Sequence, residues 1–338
     1  MSNPFATIKT PNISLDAAGL VALADLSTLQ ARTALTGTST LLDLLVLCPG
    51  IHLQQTAVDL NNGEYPACGA MTSGYVFRVE NPATVYWLQN IGKTGHLTDV
   101  EVSKLNDDLK RSTWLASMLF SFHNSTMLSG AAYFAAVLWG TAVLILLGMT
   151  GDWWGLTVVL LLMFSRLCNI IIIRRRSKIG WKGAEEPGVK SDLIILLSQD
   201  RWIRMRGDVD DVKAVTSGQW LRDETSVESW ITAFATIVIY FDAALASNVK
   251  QFGKILLLAL LIGSVTLLAI VNAATKDLLM HGRIVKVVGK PKSYGRRKDL
   301  AQDLINQSGR DDWAIRMAMI VKESPTDVRN DGHQAATM

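Results

Sequence analysis

Several common signals are missing or sparse in this chain of 338 residues. Its 3 cysteines, Cys48, Cys68 and Cys168, form no CxxC pair and no Cys/His cluster with zinc-ligand spacing, so we predict no metal site. Cys48 and Cys68 are expected to be reduced thiols, because the topology argued below places them in the cytosol. The N-terminus also lacks the basic and apolar regions of a signal peptide, which predicts that membrane insertion depends on internal segments.

Motifs of catalysis and nucleotide binding are missing as well. The 5 histidines are scattered, and neither an HExxH segment nor a nucleophile elbow occurs. Residues 90–94 resemble the end of a phosphate-binding loop, but Trp87 stands where that loop needs glycine. We therefore predict no catalytic residue and no cofactor. A membrane enzyme with a lipidic substrate stays open as an alternative, with Asp208, Asp210 or His281 as its candidate residues.

Charge is missing from two long stretches, which are the most informative part of the sequence. Residues 128–149 contain no charged side chain, and residues 153–173 contain only Arg166. About 20 apolar residues suffice for a helix to cross the roughly 30 Å hydrocarbon core of a membrane. The two stretches are joined by a very short turn and are followed by three arginines at 174–176, so they predict a transmembrane hairpin.

A second pair of apolar stretches lies nearer the C-terminus. Residues 230–247 are interrupted by Asp242, residues 255–274 carry no charge, and the linker between them is short enough for another hairpin. The predicted fold class is an all-α integral membrane protein, in which four transmembrane helices form two tight hairpins. A small mixed α/β cytosolic segment is expected between the hairpins.

Basic residues near the ends of the spans predict the orientation. Five of the nine residues 174–182 are basic, and residues 275–298 contain eight basic residues and one acidic residue. Such clusters mark the cytosolic side, so we expect both termini in the cytosol. The sequence does not specify which cellular membrane the protein occupies. The predicted regions are a cytosolic N-terminal region with amphipathic helices (1–127), a first transmembrane hairpin (128–173), a cytosolic connecting segment (174–229), a second hairpin (230–274) and a basic cytosolic tail (275–338).

Outside the spans, the pattern predicts several short elements. Leucines at near-helical spacing in residues 15–32 predict an amphipathic helix, and the apolar run 38–48 predicts a short packed or interfacial helix. Residues 97–120 are expected to form a helix, because Thr98 and Glu101 have the spacing of a capping box.

Two strands are predicted in the connecting segment. Residues 192–197 are an apolar run typical of a buried strand, and residues 201–207 alternate apolar and basic side chains. A unit of about 50 residues has little core of its own. We therefore expect these strands to pack against the N-terminal region or the tail.

Polar groups within the spans are the candidate functional residues: Arg166, Asn169, Asp242 and Asn272. Charge inside a membrane is costly and often marks function. One interpretation is an ion pair between Arg166 and Asp242 that lines a polar pathway. The other is that Arg166 extends to the cytosolic face while Asp242 lies near the outer headgroups.

The tail and the small residues of the spans predict partners. A basic run beside a membrane favours anionic lipid over nucleic acid as its partner. Small residues at four-residue spacing, as at Ala132, Ala136 and Gly140, allow close helix packing, either within one chain or in a homo-oligomer. The predicted lipid-contacting residues are Arg283, Lys286, Lys290, Lys292, Arg296, Arg297 and Lys298.

More than half of the chain is expected to be cytosolic, and this proportion carries the functional prediction. It favours a non-enzymatic multi-pass membrane protein that acts through cytosolic contacts as an accessory, scaffolding or regulatory component, with a protein partner. The first alternative is an oligomeric small channel or transporter with Arg166 and Asp242 in its pathway. The second is the membrane enzyme with a lipidic substrate.

Overall fold

The computed structural model describes residues 18–105 and 126–321. Short 3-10 helices cover Ala18–Leu23, Leu41–Leu45, Ile51–Asn61 and Ala246–Asn248. The α-helices are α1 (Thr28–Thr36), α2 (Pro82–Ile91), α3 (Met127–Met149), α4 (Trp153–Arg176), α5 (Val209–Thr216), α6 (Ser226–Leu245), α7 (Gln251–Ala274), α8 (Arg297–Ser308) and α9 (Asp312–Arg316). The strands are β1 (Ala67–Ala70), β2 (Val76–Arg78), β3 (His96–Lys104), β4 (Lys190–Leu197), β5 (Arg201–Asp208), β6 (Leu278–Met280) and β7 (Arg283–Ser293).

Helices α3, α4, α6 and α7 are long and apolar enough to cross a membrane, which confirms this part of the prediction. They form a bundle in which α3 packs mainly against α7, and α4 packs mainly against α6. The turns of the two hairpins lie together at one end. There Asp152 accepts hydrogen bonds from the backbone N–H of Gly155 and of Lys250, both at 3.1 Å.

The opposite end of the bundle, called here the sheet-side end, is where the strands lie. The Thr126 hydroxyl donates to the Ala274 carbonyl at 3.2 Å, which joins the start of α3 to the end of α7. The Arg222 N–H donates to the Arg176 carbonyl, also at 3.2 Å, which joins the approach to α6 to the end of α4. The stretches that precede α3 and α6 and follow α4 and α7 therefore meet on one side.

A seven-stranded mixed sheet, in the order β2-β1-β4-β5-β3-β7-β6, is formed by these stretches. The prediction of an all-α protein with only a small α/β segment between two hairpins was therefore wrong. Strands β4 and β5 confirm the two predicted strands, but they are the centre of a sheet that also includes strands from before α3 and after α7. The physical reason is that none of the three stretches can bury enough apolar surface alone, and their pairing joins them into one core.

Strand β3 replaces the beginning of a predicted helix. The capping-box spacing of Thr98 and Glu101 was misleading, because Leu97, Val100 and Val102 are buried on the two faces of a strand. β3 pairs in parallel with β5 and antiparallel to β7, with an irregularity between Leu97 and Asp99. Branched side chains at alternate positions favour this pleated pairing. The rest of the predicted helix, 106–120, lies outside the described residues.

The sheet has a core on each face. One core joins β3, β4 and β5 to α2, α5 and the end of α1, and it reaches Ile173 at the sheet-side end of α4. The other packs Ile194 and Trp202 against Leu300, Leu304 and Trp313 of α8 and α9. The sheet is thus held directly on the end of the helical bundle.

Residues 18–61, called here the N-terminal segment, run through the bundle. The first 3-10 helix touches Ala243, near the far end of α6, and Ala246, just beyond it, since an added Cβ on Gly19 would lie 2.5 Å from the Ala246 side chain. The Thr28 carbonyl accepts from Asn272 at the sheet-side end of α7, so the chain has crossed the bundle by α1.

The N-terminal segment then turns back between the helices. The Leu45 carbonyl lies against Gly140 in the middle of α3, and Gly50 lies beside Leu26. Within the predicted helix 38–48 only a packed 3-10 turn forms, and the predicted helix 15–32 is broken between its 3-10 turn and α1. Gly37 ends α1 at a positive φ, and Gly50, also at a positive φ, precedes the next 3-10 helix, so the regular elements here stay short.

Candidate functional site

A buried polar cluster forms where the N-terminal segment meets α3 and α4. Arg166 of α4 is 2 % exposed. Its Nε donates to the Asp43 carbonyl at 3.3 Å, and its Nη1 donates to Gln54 Oε1. Gln54 in turn donates to Ser39 Oγ at 2.9 Å. The guanidinium is therefore held by neutral oxygens of the N-terminal segment rather than by a carboxylate.

Asp43 and Tyr133 form the second part of this cluster. The Tyr133 hydroxyl donates to Asp43 Oδ1 at 2.7 Å, and the backbone N–H of Thr40 donates to Asp43 Oδ2 at 2.6 Å. The second bond belongs to a capping box, so local sequence fixes the carboxylate at the start of a 3-10 turn. The Arg32 guanidinium carbon lies 5.3 Å from the centre of the Tyr133 ring. We call Arg32, Asp43, Gln54, Tyr133 and Arg166 the bundle polar cluster.

A chain of hydrogen bonds extends from this region to the sheet-side end. Gln55 donates to Asn169 Oδ1 at 3.0 Å and accepts from Arg176 Nη1 at 2.8 Å. Arg176 also forms a 2.8 Å ion pair with Glu224. Glu224 balances the charge of Arg176, so it does not balance the charge of an arginine in the bundle polar cluster.

The structure does not bring Arg166 and Asp242 together. The Ser165 hydroxyl donates to the Ala235 carbonyl at 2.9 Å, which fixes the register of α4 against α6. Asp242 lies seven residues beyond Ala235, which is roughly 10 Å along the helix. Asp242 is 1 % exposed and its Oδ1 has no hydrogen-bond partner. Arg166 is buried too, so it does not extend to the surface of the bundle.

Asn169 and Asn272, the other predicted polar residues of the spans, both contact the N-terminal segment. Asn169 binds Gln55, and Asn272 Nδ2 donates to the Thr28 carbonyl at 2.8 Å. The small residues serve contacts within the chain. Gly140 accommodates Leu45, and Trp139 of α3 lies against Gly263 of α7.

The predicted lipid-contacting residues lie on β7, on the turn after it and at the start of α8. Four of them are in ion pairs with described residues: Arg283 with Asp211, Lys286 with Asp277, Lys292 with Asp303, and Arg297 with Asp200. Lys290, Arg296 and Lys298 are exposed and form no ion pair within the described part of the chain. These three side chains are the ones whose charge is fully available to another molecule.

The acidic residues considered for an enzyme have structural partners. Asp208 forms a 2.7 Å ion pair with Lys190, whose hydrogen bond lowers the pKa of Asp208. Asp210 accepts from the backbone N–H of Glu186. Burial lowers the pKa of His281 below its ordinary value, which favours its neutral form. Among the described residues, no group of three or more His, Cys, Asp or Glu side chains could hold a metal ion.

Two clefts open on the sheet side of the molecule, each of about 540 Å³. The first is polar, and Glu64, which accepts from the backbone N–H of Ser198 at 2.6 Å, lines it with Arg201 and Asn90. The second is lined by two exposed aromatic residues, Tyr65 and Trp181, among others. Both clefts are built by residues distant in sequence.

Sequence reasoning missed four of the five residues of the bundle polar cluster, which are Arg32, Asp43, Gln54 and Tyr133. The available signal was Asp43, a charge within the otherwise apolar run 38–48, and a buried carboxylate requires partners.

Comparisons with protein-family models, with curated proteins and with solved structures found no match for this chain.

Proposed function

We propose that this chain is a non-enzymatic membrane protein that acts through its sheet side as an accessory, scaffolding or regulatory component. The observation that carries the proposal is the convergence of three separate stretches into one seven-stranded sheet on a single end of the bundle. This arrangement gives the protein a large folded surface at a fixed position relative to the four helices. Such a surface suits binding of another protein.

The interior of the bundle supports an anchoring role for the helices. The N-terminal segment occupies the space between the α3–α7 and α4–α6 pairs, with Leu47, Cys48 and Ile51 each at most 1 % exposed. A bundle filled by its own chain is a rigid support for the sheet. The faces of the helices turned away from this packing are apolar and exposed, as at Phe134 and Phe234, and these faces suit contact with lipid.

The proposed orientation places the sheet side in the cytosol. The basic residues of 174–182 lie in the last turn of α4 and just after it, and those of 275–298 follow α7, so both clusters are at the sheet-side end. Such clusters favour the cytosolic face. The exposed cations Lys290, Arg296 and Lys298 would then act on an anionic cytosolic partner, and anionic lipid is the partner we propose for them.

The test places a photo-crosslinking amino acid at Asn90, on the rim of the polar cleft, in the full-length protein in its native membrane. A matched variant carries it at Phe234, which is 54 % exposed on α6. We expect a discrete adduct with one protein at position 90 and none at position 234. Absence of any protein adduct at position 90 and at a second sheet-side position, Lys298, would contradict the proposal.

The second candidate function is a small channel or transporter, and Asp242 is the observation that favours it. Its carboxylate is buried in the bundle and Oδ1 has no partner, as expected for a group that binds a passing ion or proton. Ion flux through reconstituted protein that disappears in Asp242→Asn would favour this function over the scaffold.

A further inference from the structure

The charges of the bundle polar cluster do not balance. Arg32 is 8 % exposed, Arg166 is 2 % exposed, and Asp43 is the carboxylate that lies among them. Both oxygens of Asp43 accept hydrogen bonds from other groups, Thr40 and Tyr133, and neither arginine forms an ion pair with a described residue. One positive charge is therefore uncompensated in a region of low dielectric, where charges are normally paired.

Arg32 is the group with unused hydrogen-bonding capacity. Its guanidinium stacks on the Tyr133 ring but donates no hydrogen bond to any residue of the described chain, although a guanidinium offers five N–H donors. Arg166, in contrast, donates to Asp43 and Gln54. A guanidinium that is buried and keeps its donors unbonded has the geometry for an oxyanion, whose two oxygens match the planar fork of N–H groups.

The position of Arg32 indicates which oxyanion is at hand. Arg32 lies one helical turn beyond Thr28, whose carbonyl binds Asn272, and Asn272 lies two residues before the end of α7. Tyr133 lies six residues after the start of α3, about 9 Å from the sheet-side end. A helix of 23 residues is about 35 Å long, so in a membrane this depth lies just inside the edge of the roughly 30 Å hydrocarbon core. The headgroups begin a few Å away, and phosphate is the oxyanion that they carry.

We propose that Arg32 forms a binding site for a phosphate group at the sheet-side end of the bundle. Tyr133 holds the guanidinium by its ring, and Asp43 holds the Tyr133 hydroxyl. The bound phosphate balances the extra positive charge and accepts the free N–H donors. Its source is either the headgroup of an anionic phospholipid or a soluble phosphate, and the two share this chemistry.

The test uses full-length protein, purified and delipidated in detergent, and compares Arg32→Gln with Arg175→Gln. Arg175 is the matched control, since it lies at the same end of the bundle but its side chain is 63 % exposed and is paired with Glu228. Native mass spectrometry measures binding of phosphatidic acid and of phosphatidylcholine. A thermal melt measures the effect of inorganic phosphate.

We expect wild-type protein to bind phosphatidic acid in preference to phosphatidylcholine, and Arg32→Gln to weaken this binding about tenfold, as expected for the loss of a charge-assisted contact. Arg175→Gln should stay within about twofold of wild type, since its charge is already paired. Wild-type protein could instead bind phosphatidic acid no better than phosphatidylcholine, while inorganic phosphate raises the melting temperature only when Arg32 is present. In that case the source is a soluble phosphate. The site would be overturned if Arg32→Gln and Arg175→Gln weakened binding of phosphatidic acid equally. It would also be overturned if wild-type protein neither preferred phosphatidic acid to phosphatidylcholine nor was stabilised by inorganic phosphate.

Arg32→Lys covers the case in which Arg32→Gln fails to fold. It keeps the charge but loses the planar fork, so the preference for phosphatidic acid should fall below that of wild type without disappearing. A preference unchanged from wild type would show that the guanidinium does not bind the anion.

Discussion

The position of Gly140 provides a direct mutational test of the packed N-terminal segment. A Cβ added at this glycine would lie 2.1 Å from the Leu45 carbonyl oxygen, which is a backbone atom and cannot rotate away. Gly140→Ala therefore requires the N-terminal segment or α3 to move. Gly148, two turns later on the same helix, has no atom within 4 Å of its added Cβ, so Gly148→Ala is the matched control.

The expected effects have opposite signs at the two glycines. Replacing a helical glycine by alanine stabilises a helix by up to about 1 kcal/mol, and we expect a gain of this kind for Gly148→Ala. Overpacking a well-packed site costs about 1–3 kcal/mol, and the 2.1 Å approach to a backbone atom puts Gly140 toward the upper end of this range. After the helix gain, Gly140→Ala should therefore lower the free energy of unfolding by up to about 2 kcal/mol.

Two measurements check this prediction. Thermal unfolding in detergent micelles gives the stability of both variants relative to wild type. Maleimide labelling of Cys48, which is 0 % exposed in the N-terminal segment, reports whether that segment is displaced. We expect faster labelling in Gly140→Ala alone. Equal stability and equal labelling in the two variants would refute the packing of Leu45 against α3.

Three further predictions concern other parts of the molecule. Asp242→Asn should raise the melting temperature, since an unpartnered buried carboxylate is costly, and a lower melting temperature would contradict this. A cysteine at Pro187 should be protected from an impermeant reagent in intact cells while one at Gly151 is labelled, and the reverse pattern would refute the proposed orientation. The hydrogen bond from Lys292 holds the pKa of Asp303 at about 2. The folded-state pKa is below the unfolded value of about 3.9, so the ionised Asp303 carboxylate stabilises the fold. This stabilisation is fully present above about pH 4 and is lost as the pH falls toward 2. A thermal melt against pH should therefore be flatter for Asp303→Asn in that window.

The long helices and the β4–β5 hairpin could be predicted from the sequence because each is encoded locally. The lack of charge in the largely apolar stretches 128–149 and 255–274 leaves few alternatives to a buried helix, and alternation in 201–207 suits a strand. Residues 97–104 carry two local patterns at once, a capping box and alternating branched residues. Pairing with β5 and β7 decides between them, and these partners lie about 100 and 190 residues away along the chain.

The bundle polar cluster could not be predicted for a related reason. Gln54 and Arg166 are 112 residues apart, and nothing in either local pattern indicates the other. The two charged residues inside the spans, Arg166 and Asp242, were considered as partners of each other. In the structure Arg166 instead forms hydrogen bonds with the N-terminal segment, which lies outside the spans in the sequence. Only the N-terminal segment, with its broken helices and its buried Asp43, held the missing information.

The N-terminal segment lies inside the bundle and binds Arg166 through Gln54, and a double-mutant cycle on these two residues measures that contact. The variants are Gln54→Leu, Arg166→Met and their combination, measured by unfolding in the same detergent. Each single change leaves a buried polar partner unsatisfied, so we expect a coupling energy of about 1 kcal/mol or more, with the double variant less destabilised than the sum of the single variants. Additive effects, within about 0.5 kcal/mol, would show that the two side chains do not interact and that the N-terminal segment does not bind Arg166.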